Sequence, residues 1–200
     1  MNPNETRGPA ALAGDTLQPR PIERFPELAS LACDLLRKPP ALLGLSGADA
    51  RCVVSAMQLL DYPKGATLLH EHDRTATGYL LLVLSGEVSV ETAEFGHAGD
   101  TVPISVLGAG SLLGEMALLD GEPRSTNCTA ISPVQAAGLS RKGIEWLTAQ
   151  HPAVATKLFA ELATIIANRL RALSEQLRLY AQLLDTKQRE IDRLKGLTPR

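Results

Sequence analysis

The stretch that decides the fold runs from Gly110 to Thr126 and reads GSLLGEMALLDGEPRST. Glycine adopts backbone angles that other residues avoid, so Gly110 predicts a tight turn. Leu112 and Leu113 lead from it into a short helical segment. Asp120-Gly121 and the following proline are typical of a chain reversal before the next strand. The stretch therefore predicts a compact connection with a single turn of helix.

Three groups in this stretch are suited to an anionic ligand that also carries hydroxyl groups. The first amides of a helix have no intrahelical acceptor, so they offer N–H donors and a partial positive charge. Gly114 has no side chain to block a ligand from these amides. Glu115 can accept hydrogen bonds from hydroxyls such as those of a ribose. Arg124 carries a planar, permanently charged fork that suits a phosphate.

The run LGEMALLDGEPRS, residues 113–125, resembles the phosphate-binding cassette of cyclic-nucleotide-binding domains. Such domains occur in catabolite activator protein and Fnr relatives, in protein kinase A regulatory subunits and in nucleotide-gated channels. The spacing from the glycine to the arginine needs no gap, and the similarity covers about residues 40–175. One departure is His72, which stands where a glycine is common. The alternative interpretation is an empty, degenerate domain in which Glu115 and Arg124 pair with each other.

The resemblance implies a role for each cassette residue. Glu115 would hold the ribose 2′-hydroxyl, Arg124 would pair with the cyclic phosphate, and Ser125 would also touch the phosphate. The purine would meet a long helix near the carboxyl terminus, around Asn168 to Ser174, together with residues of the second subunit. The expected ligand contacts are Gly114, Glu115, Met116, Ala117, Arg124, Ser125 and Thr126, with base contacts at Arg169, Leu173 and Ser174. The hydroxyls of Ser125 and Thr126 can each bind a guanine amino group, yet serine at the first position is equally compatible with cAMP, so cAMP and cGMP both stay open. A cyclic dinucleotide stays open as well, because some members of the family that the chain resembles have changed ligand.

Composition limits the other function classes. The chain has 200 residues, and 44% of them are hydrophobic. Its net charge of −2 argues against an extended nucleic-acid surface, and its aromatic content of 4% argues against a platform for stacking bases. The three cysteines are widely spaced and form neither a metal knuckle nor a disulfide framework. His70 and His72 lack a convincing third ligand, so no metal site is predicted. No catalytic set is recognisable, and no signal peptide or long apolar span occurs. The sequence thus predicts a cytoplasmic binding protein that is not an enzyme and does not enter a membrane.

The predicted fold class is α+β: an antiparallel β-roll flanked by helices, with a long C-terminal coiled-coil helix. We expect a disordered lead over residues 1–20, the cyclic-nucleotide-binding roll with its N-terminal helices over 21–150, and a dimerisation helix with a short tail over 151–200. The predicted strands cover residues 66–70, 79–84, 87–92, 101–107, 124–131 and 134–139, separated by glycines and polar turns.

Three helices are predicted before the long one. The first covers residues 22–38 and is stopped by Pro39-Pro40, and we expect it to pack on the domain or on its dimer partner. The second begins at Ser46 as cap, with Asp49 three residues on. Its apolar face runs through Val53, Val54, Met57 and Leu60. The third covers residues 140–150.

The long helix begins at Pro152, and neither proline nor glycine interrupts it before Lys195. Its apolar residues repeat every seven positions. The a-type positions are Ala163, Leu170, Leu177, Leu184 and Ile191, and the d-type positions are Phe159, Ile166, Leu173, Tyr180, Lys187 and Leu194. Despite the fault at Lys187, this repeat predicts a parallel coiled-coil homodimer. The alternative is an amphipathic helix that lies on its own roll, which fits the first turns better than the last.

These patterns together predict a dimeric sensor of cAMP or cGMP that signals to a separate, unidentified protein partner. In transcription factors that the chain resembles, the long helix joins a helix-turn-helix module. No such segment follows here, and the final basic residues alternate with acidic ones, so we expect no direct DNA binding. Two alternatives remain: a dimeric adaptor that binds no nucleotide, and a relative of transcription regulators that acts on DNA through a partner.

Overall fold

The computed structural model describes residues 18–38, 44–73, 79–93 and 101–196. In these ranges the strands are β1 (Arg20–Pro21), β2 (Met57–Tyr62), β3 (Thr67–Leu69), β4 (Tyr79–Ser85), β5 (Val88–Ala93), β6 (Thr101–Leu107), β7 (Leu112–Leu113), β8 (Asn127–Ala130) and β9 (Val134–Ser140). The helices are α1 (Pro26–Leu36), α2 (Gly47–Ser55), α3 (Glu115–Asp120), α4 (Arg141–Gln150) and α5 (Pro152–Gly196).

The strands form two antiparallel sheets, and this confirms the predicted α+β class with a roll, flanking helices and a long C-terminal helix. One sheet has the order β1-β2-β9-β4-β7, and the other has the order β3-β8-β5-β6. The cassette connects them, because β7 pairs with β4 in the first sheet and β8 pairs with β5 in the second. The position of the cassette is therefore fixed by strand pairing in both sheets.

The core has two layers, and β4 separates them. Leu80, Leu82 and Leu84 of this strand face the helices, whereas Leu81 and Val83 face the second sheet. Because both faces are buried, the strand reads as an unbroken apolar run rather than an alternation. The helices that cover the first layer are α1, α2, α4 and the start of α5.

The predicted second helix is shorter than its apolar spacing indicated. It does begin at Ser46, whose hydroxyl accepts the N–H of Asp49 in a reciprocal capping box. The helix ends at Ser55, and Met57 and Leu60 lie in β2, so their assignment to a helix face was wrong. The strand lies between β1 and β9 with both faces buried, and this produces apolar spacings of three that imitate a helix.

Three other boundaries change. Leu112 and Leu113 pair with β4 as β7 instead of leading into a helical segment. The predicted strand over residues 124–131 is confined to β8, so Arg124 lies in the connection that precedes it. The helix expected over 22–38 is a short 3-10 turn at residues 22–24 followed by α1, which starts at Pro26 because proline suits the first helical turn.

The predicted lead over residues 1–20 wrongly included Arg20. Arg20 belongs to β1, pairs in register with Leu59 and forms an ion pair with Asp61. Residues 1–17, the pair Pro39-Pro40 and residues 94–100 lie outside the described residues.

α5 is continuous for 45 residues, about 67 Å at ~1.5 Å per residue. Its first turns bury Ala155, Leu158 and Leu162 in the helical layer of the core. Further on, Leu170 is 64% exposed and Leu184 is 71% exposed. In the described ranges, no helix combines the length and the apolar character that a membrane crossing needs.

Candidate ligand-binding site

The cassette backbone depends on two glycines in the left-handed region. Gly114 (φ 79°) precedes α3, and a Cβ there would overlap the guanidinium of Arg124 and lie 2.9 Å from the carbonyl oxygen of Tyr79. Gly121 (φ 74°) ends the helix, and its N–H donates to the carbonyl of Ala117. Since other residues pay a steric cost at such angles, these positions explain why the local sequence predicts the turn so well.

Both the backbone and the side chain of Arg124 are fixed by hydrogen bonds. Its side chain donates from Nη1 to the carbonyl of Gly114 (2.7 Å) and from Nη2 to the carbonyl of Tyr79 (2.9 Å). Its own carbonyl accepts the N–H of His72 (2.8 Å), and its N–H donates to the carbonyl of Asp73 (3.3 Å). His72 takes a positive φ of 64°, so it adopts the glycine-like conformation of the position it occupies. This turn fixes the guanidinium next to the cassette.

Burial shapes the electrostatics of this guanidinium. Arg124 is only 3% exposed, and desolvation lowers its pKa, whereas the neighbouring Cys128, Asp73 and Glu115 act in the opposite direction. Burial also raises the pKa of the Cys128 thiol to about 11. At neutral pH the thiol is therefore protonated.

Glu115 pairs with α5 and not with Arg124. Its buried carboxylate accepts from Nη1 of Arg169, while Nη2 of Arg169 donates to the carbonyl of Leu112. The pairing that the empty-domain interpretation assumed is thus replaced by a contact between residues 54 positions apart. Through it, the cassette is joined to the long helix at the point where that helix leaves the roll.

A cavity of about 360 Å³ lies between the cassette, the second sheet and α5. Ligand pockets in proteins start at about 300 Å³. Its lining includes every predicted contact except Ser174: Gly114, Glu115, Met116, Ala117, Arg124, Ser125, Thr126, Arg169 and Leu173. Ser174 is exposed, and its hydroxyl donates to the carbonyl of Leu170 one turn back (2.9 Å).

Sequence reasoning missed half of the cavity wall. The lining residues that it did not name are Leu69, Val90, Ile104, Ser105, Leu107, Leu113, Cys128, Gln176 and Ala172, the last of which lies within the stretch 168–174 expected to meet the purine. Most of them come from strands of the second sheet. The alternation of apolar and polar residues in these strands indicates which side chains share a face, but it does not indicate that this face lines a cavity. Ala172 and Gln176 could have been found, because they share a helix face with Arg169 at spacings of three and seven.

The arrangement suits a monoanion with hydroxyl groups and a flat apolar body. Two guanidinium groups, Arg124 and Arg169, face one carboxylate, Glu115, so the charged side chains of the cavity carry a net positive charge. Apolar side chains, among them those of leucine, isoleucine, valine, methionine and alanine, form most of the remaining wall. Within the described residues, no three histidine, cysteine, aspartate or glutamate side chains converge to hold a metal ion.

Comparison with known proteins shows which family has this sequence and fold. A family model described as "Cyclic nucleotide-binding domain" matches residues 59–151. The chain is 30% identical to a cyclic nucleotide-binding domain from Methylobacillus flagellatus of known crystal structure, with a TM-score of 0.70 over 79% of this chain and 85% of that one.

Two curated relatives are longer proteins. The chain is 31% identical to the cyclic AMP receptor protein of Thermus thermophilus over 71% of its own length and 62% of that protein's. It is 32% identical to a cAMP-dependent protein kinase regulatory subunit of Aspergillus niger over 56% of its length and 26% of that protein's. From the fold, the cavity and these matches, we conclude that the chain belongs to the cyclic nucleotide-binding domain family.

Proposed function

We propose that the protein is a sensor that binds a cyclic nucleotide in the cassette cavity and passes the signal through α5. The observation that carries the proposal is the cavity itself, in which a buried arginine and a buried glutamate lie on one short connection. The resemblance of residues 113–125 to the family cassette supports the same assignment.

In this proposal each cassette group has one ligand partner. Arg124 and the hydroxyl of Ser125 bind the cyclic phosphate, and Gly114 lets the phosphate approach the backbone. Glu115 accepts the ribose 2′-hydroxyl. Met116, Ala117 and Thr126 complete the wall around the sugar and phosphate. The site binds its ligand without turning it over.

The signal depends on the contact between Glu115 and Arg169. A ribose hydroxyl that reaches Glu115 must share its carboxylate with Arg169, and the purine must lie against Leu173 of the same helix. Ligand binding then changes the position that α5 prefers relative to the roll. It does so only as far as the ligand binds one arrangement more tightly than the other.

The partner of the exposed half of α5 is a second copy of the chain in this proposal. Beyond Leu170, the apolar a- and d-type side chains from Leu173 to Ile191 are exposed within one chain, and a stripe of this kind is what a coiled coil buries. A separate protein then recognises the dimer surface. The relatives named for cyclic AMP support cAMP as the first ligand to test, with cGMP second.

Calorimetric titration with cAMP, cGMP and cyclic di-GMP tests the proposal, with Arg124→Ala beside the parent. Removing a charge-assisted phosphate contact costs about 1.5–3 kcal/mol, so we expect an affinity loss of about ten- to a hundredfold. Arg178→Ala is the matched control, because Arg178 is exposed on α5 and pairs with Glu175 alone among the described residues.

A variant with Arg124→Ala that binds as tightly as the parent would contradict the placement of the phosphate. A folded parent that binds none of the three nucleotides would favour the adaptor. That alternative has one observation on its side: Arg124 and Glu115 already have protein partners, so the cavity groups are stabilised without a ligand.

A further inference from the structure

We propose that Gln176 recognises the purine edge of the bound nucleotide and selects adenine over guanine, an inference that rests on the proposed function. Gln176 lines the cavity, and it was absent from the contacts that the sequence predicted.

The position of Gln176 fits the length of a nucleoside. It follows Arg169 by seven residues on the same face of α5, which places the two about 10 Å apart along the helix axis. Side chains on a helix lean towards its N-terminus, so the Gln176 amide covers the level of Ala172 and Leu173. A ribose on Glu115, next to Arg169, therefore directs its base towards this amide.

The polar groups of α5 leave few alternatives at this end of the cavity. Four α5 residues line it, and only Arg169 and Gln176 among them have polar side chains. Arg169 is engaged with Glu115 and Leu112. Ser174 does not line the cavity, and its hydroxyl bonds within the helix. Among the described residues, nothing pairs with the Gln176 amide, so it is available to a ligand.

The chemistry of a primary amide distinguishes the two purines. Gln176 offers one carbonyl acceptor and N–H donors side by side. Adenine presents the complementary pair, an amino donor at N6 and an acceptor at N7. On the same edge guanine presents acceptors at both O6 and N7, so when this edge of the base faces α5 the carbonyl oxygen of the amide would face another acceptor. An arginine, which only donates, would reverse this preference.

The test measures dissociation constants for cAMP and cGMP with the parent, Gln176→Leu, Gln176→Arg and Ser174→Ala. A bidentate contact discriminates by about tenfold or more, so we expect the parent to favour cAMP by at least about that factor. Gln176→Leu should weaken cAMP binding and bring the ratio near one. Gln176→Arg should favour cGMP, and Ser174→Ala should keep the parent ratio.

Equal binding of both nucleotides by the parent, or an unchanged ratio in Gln176→Leu, overturns the inference. If binding is still lost in Arg124→Ala, the proposed function survives that result. If the parent binds neither nucleotide, both fail together. Gln176 is exposed, so the variants should fold, and thermal melting followed by circular dichroism checks this.

Discussion

The two halves of α5 carry the same kind of apolar stripe but contact different surroundings. In the docked half, residues 152–166, apolar side chains pack into the roll, and Lys157 forms an ion pair with Asp49 of α2 (2.6 Å). In the projecting half, residues 170–193, the leucines are exposed. The ion pairs that the structure describes in the projecting half join residues three or four positions apart on the helix itself.

The difference shows what a sequence repeat can and cannot say. An apolar repeat establishes that one face of a helix needs a partner, and it does not say whether the partner is the same chain. Here the apolar face of α5 passes from buried to exposed near Arg169, which makes the contact between this helix and the cassette. A stripe that continues about 35 Å beyond that point has no cover within the described chain, which is why we propose a second copy.

The largest expected effect concerns the projecting half. Leu177→Ala removes two buried leucines from each dimer, at about 1.5–3 kcal/mol apiece, so the dimer dissociation constant should rise by at least about a hundredfold. Analytical ultracentrifugation over a dilution series measures it. Gln182→Ala, on the opposite side of the helix, is the control and should leave the constant unchanged. A parent that remains monomeric at every concentration would rule out the second copy.

A smaller effect is expected in the docked half. Leu162 is fully buried, so Leu162→Ala should lower the free energy of unfolding by about 2–5 kcal/mol through lost contacts and a cavity. Leu179 is 52% exposed and lies outside the a- and d-type positions, so Leu179→Ala should change it by less than about 0.5 kcal/mol. Urea titration compares them. Similar losses in both variants would mean that the halves do not differ as described.

The smallest effect concerns the ion pair that holds the docked half to α2. Hydrogen bonds from Lys157, and then from Ser46, lower the pKa of Asp49 from 3.8 to about 2. The folded-state value lies below the unfolded one, so the carboxylate stabilises the fold above about pH 4 and loses this effect as the pH falls towards 2. Asp49→Asn should therefore be less stable at neutral pH, by at most about 1 kcal/mol.

Thermal melting of the parent and of Asp49→Asn between pH 7 and pH 2 measures this effect. The two midpoints should converge as the pH falls from 4 to 2. Glu175→Gln, which breaks an exposed pair with Arg178 in the projecting half, is the control and should differ little from the parent at neutral pH, because exposed ion pairs contribute little to stability. A midpoint difference that stays constant with pH would assign the effect of Asp49→Asn to something other than its charge.

The parts of the fold that the sequence predicted best are governed by local chemistry. Gly114 and Gly121 have positive φ values that few other residues accept, so the cassette is legible from adjacent residues alone. The continuity of α5 follows from the lack of proline and glycine before its end. By contrast, β2 was assigned in part to a helix because a strand buried on both faces loses its alternation.

The site was predictable only where its residues are contiguous. Both Arg124 and Arg169 are chemically able to pair with Glu115, and only the packing of α5 decides between them. Ile104 and Val90 reach the cavity through the pairing of strands that are distant in sequence, which no single-strand pattern specifies. Gln176 could have been predicted from Arg169, because residues seven positions apart lie on the same face of a helix and Arg169 had already been assigned to the site.

Leu173 belongs to two surfaces of the molecule, since it lines the cavity and is also a d-type residue of the proposed coiled coil. In the proposed dimer, one side chain would therefore enter two equilibria, nucleotide binding and subunit association, and any coupling between them is reciprocal, so that each shifts the other by the same factor. The apparent nucleotide affinity should then depend on how much protein is present. A cell that made more of this chain would, without any change in nucleotide level, reset the threshold at which the sensor responds.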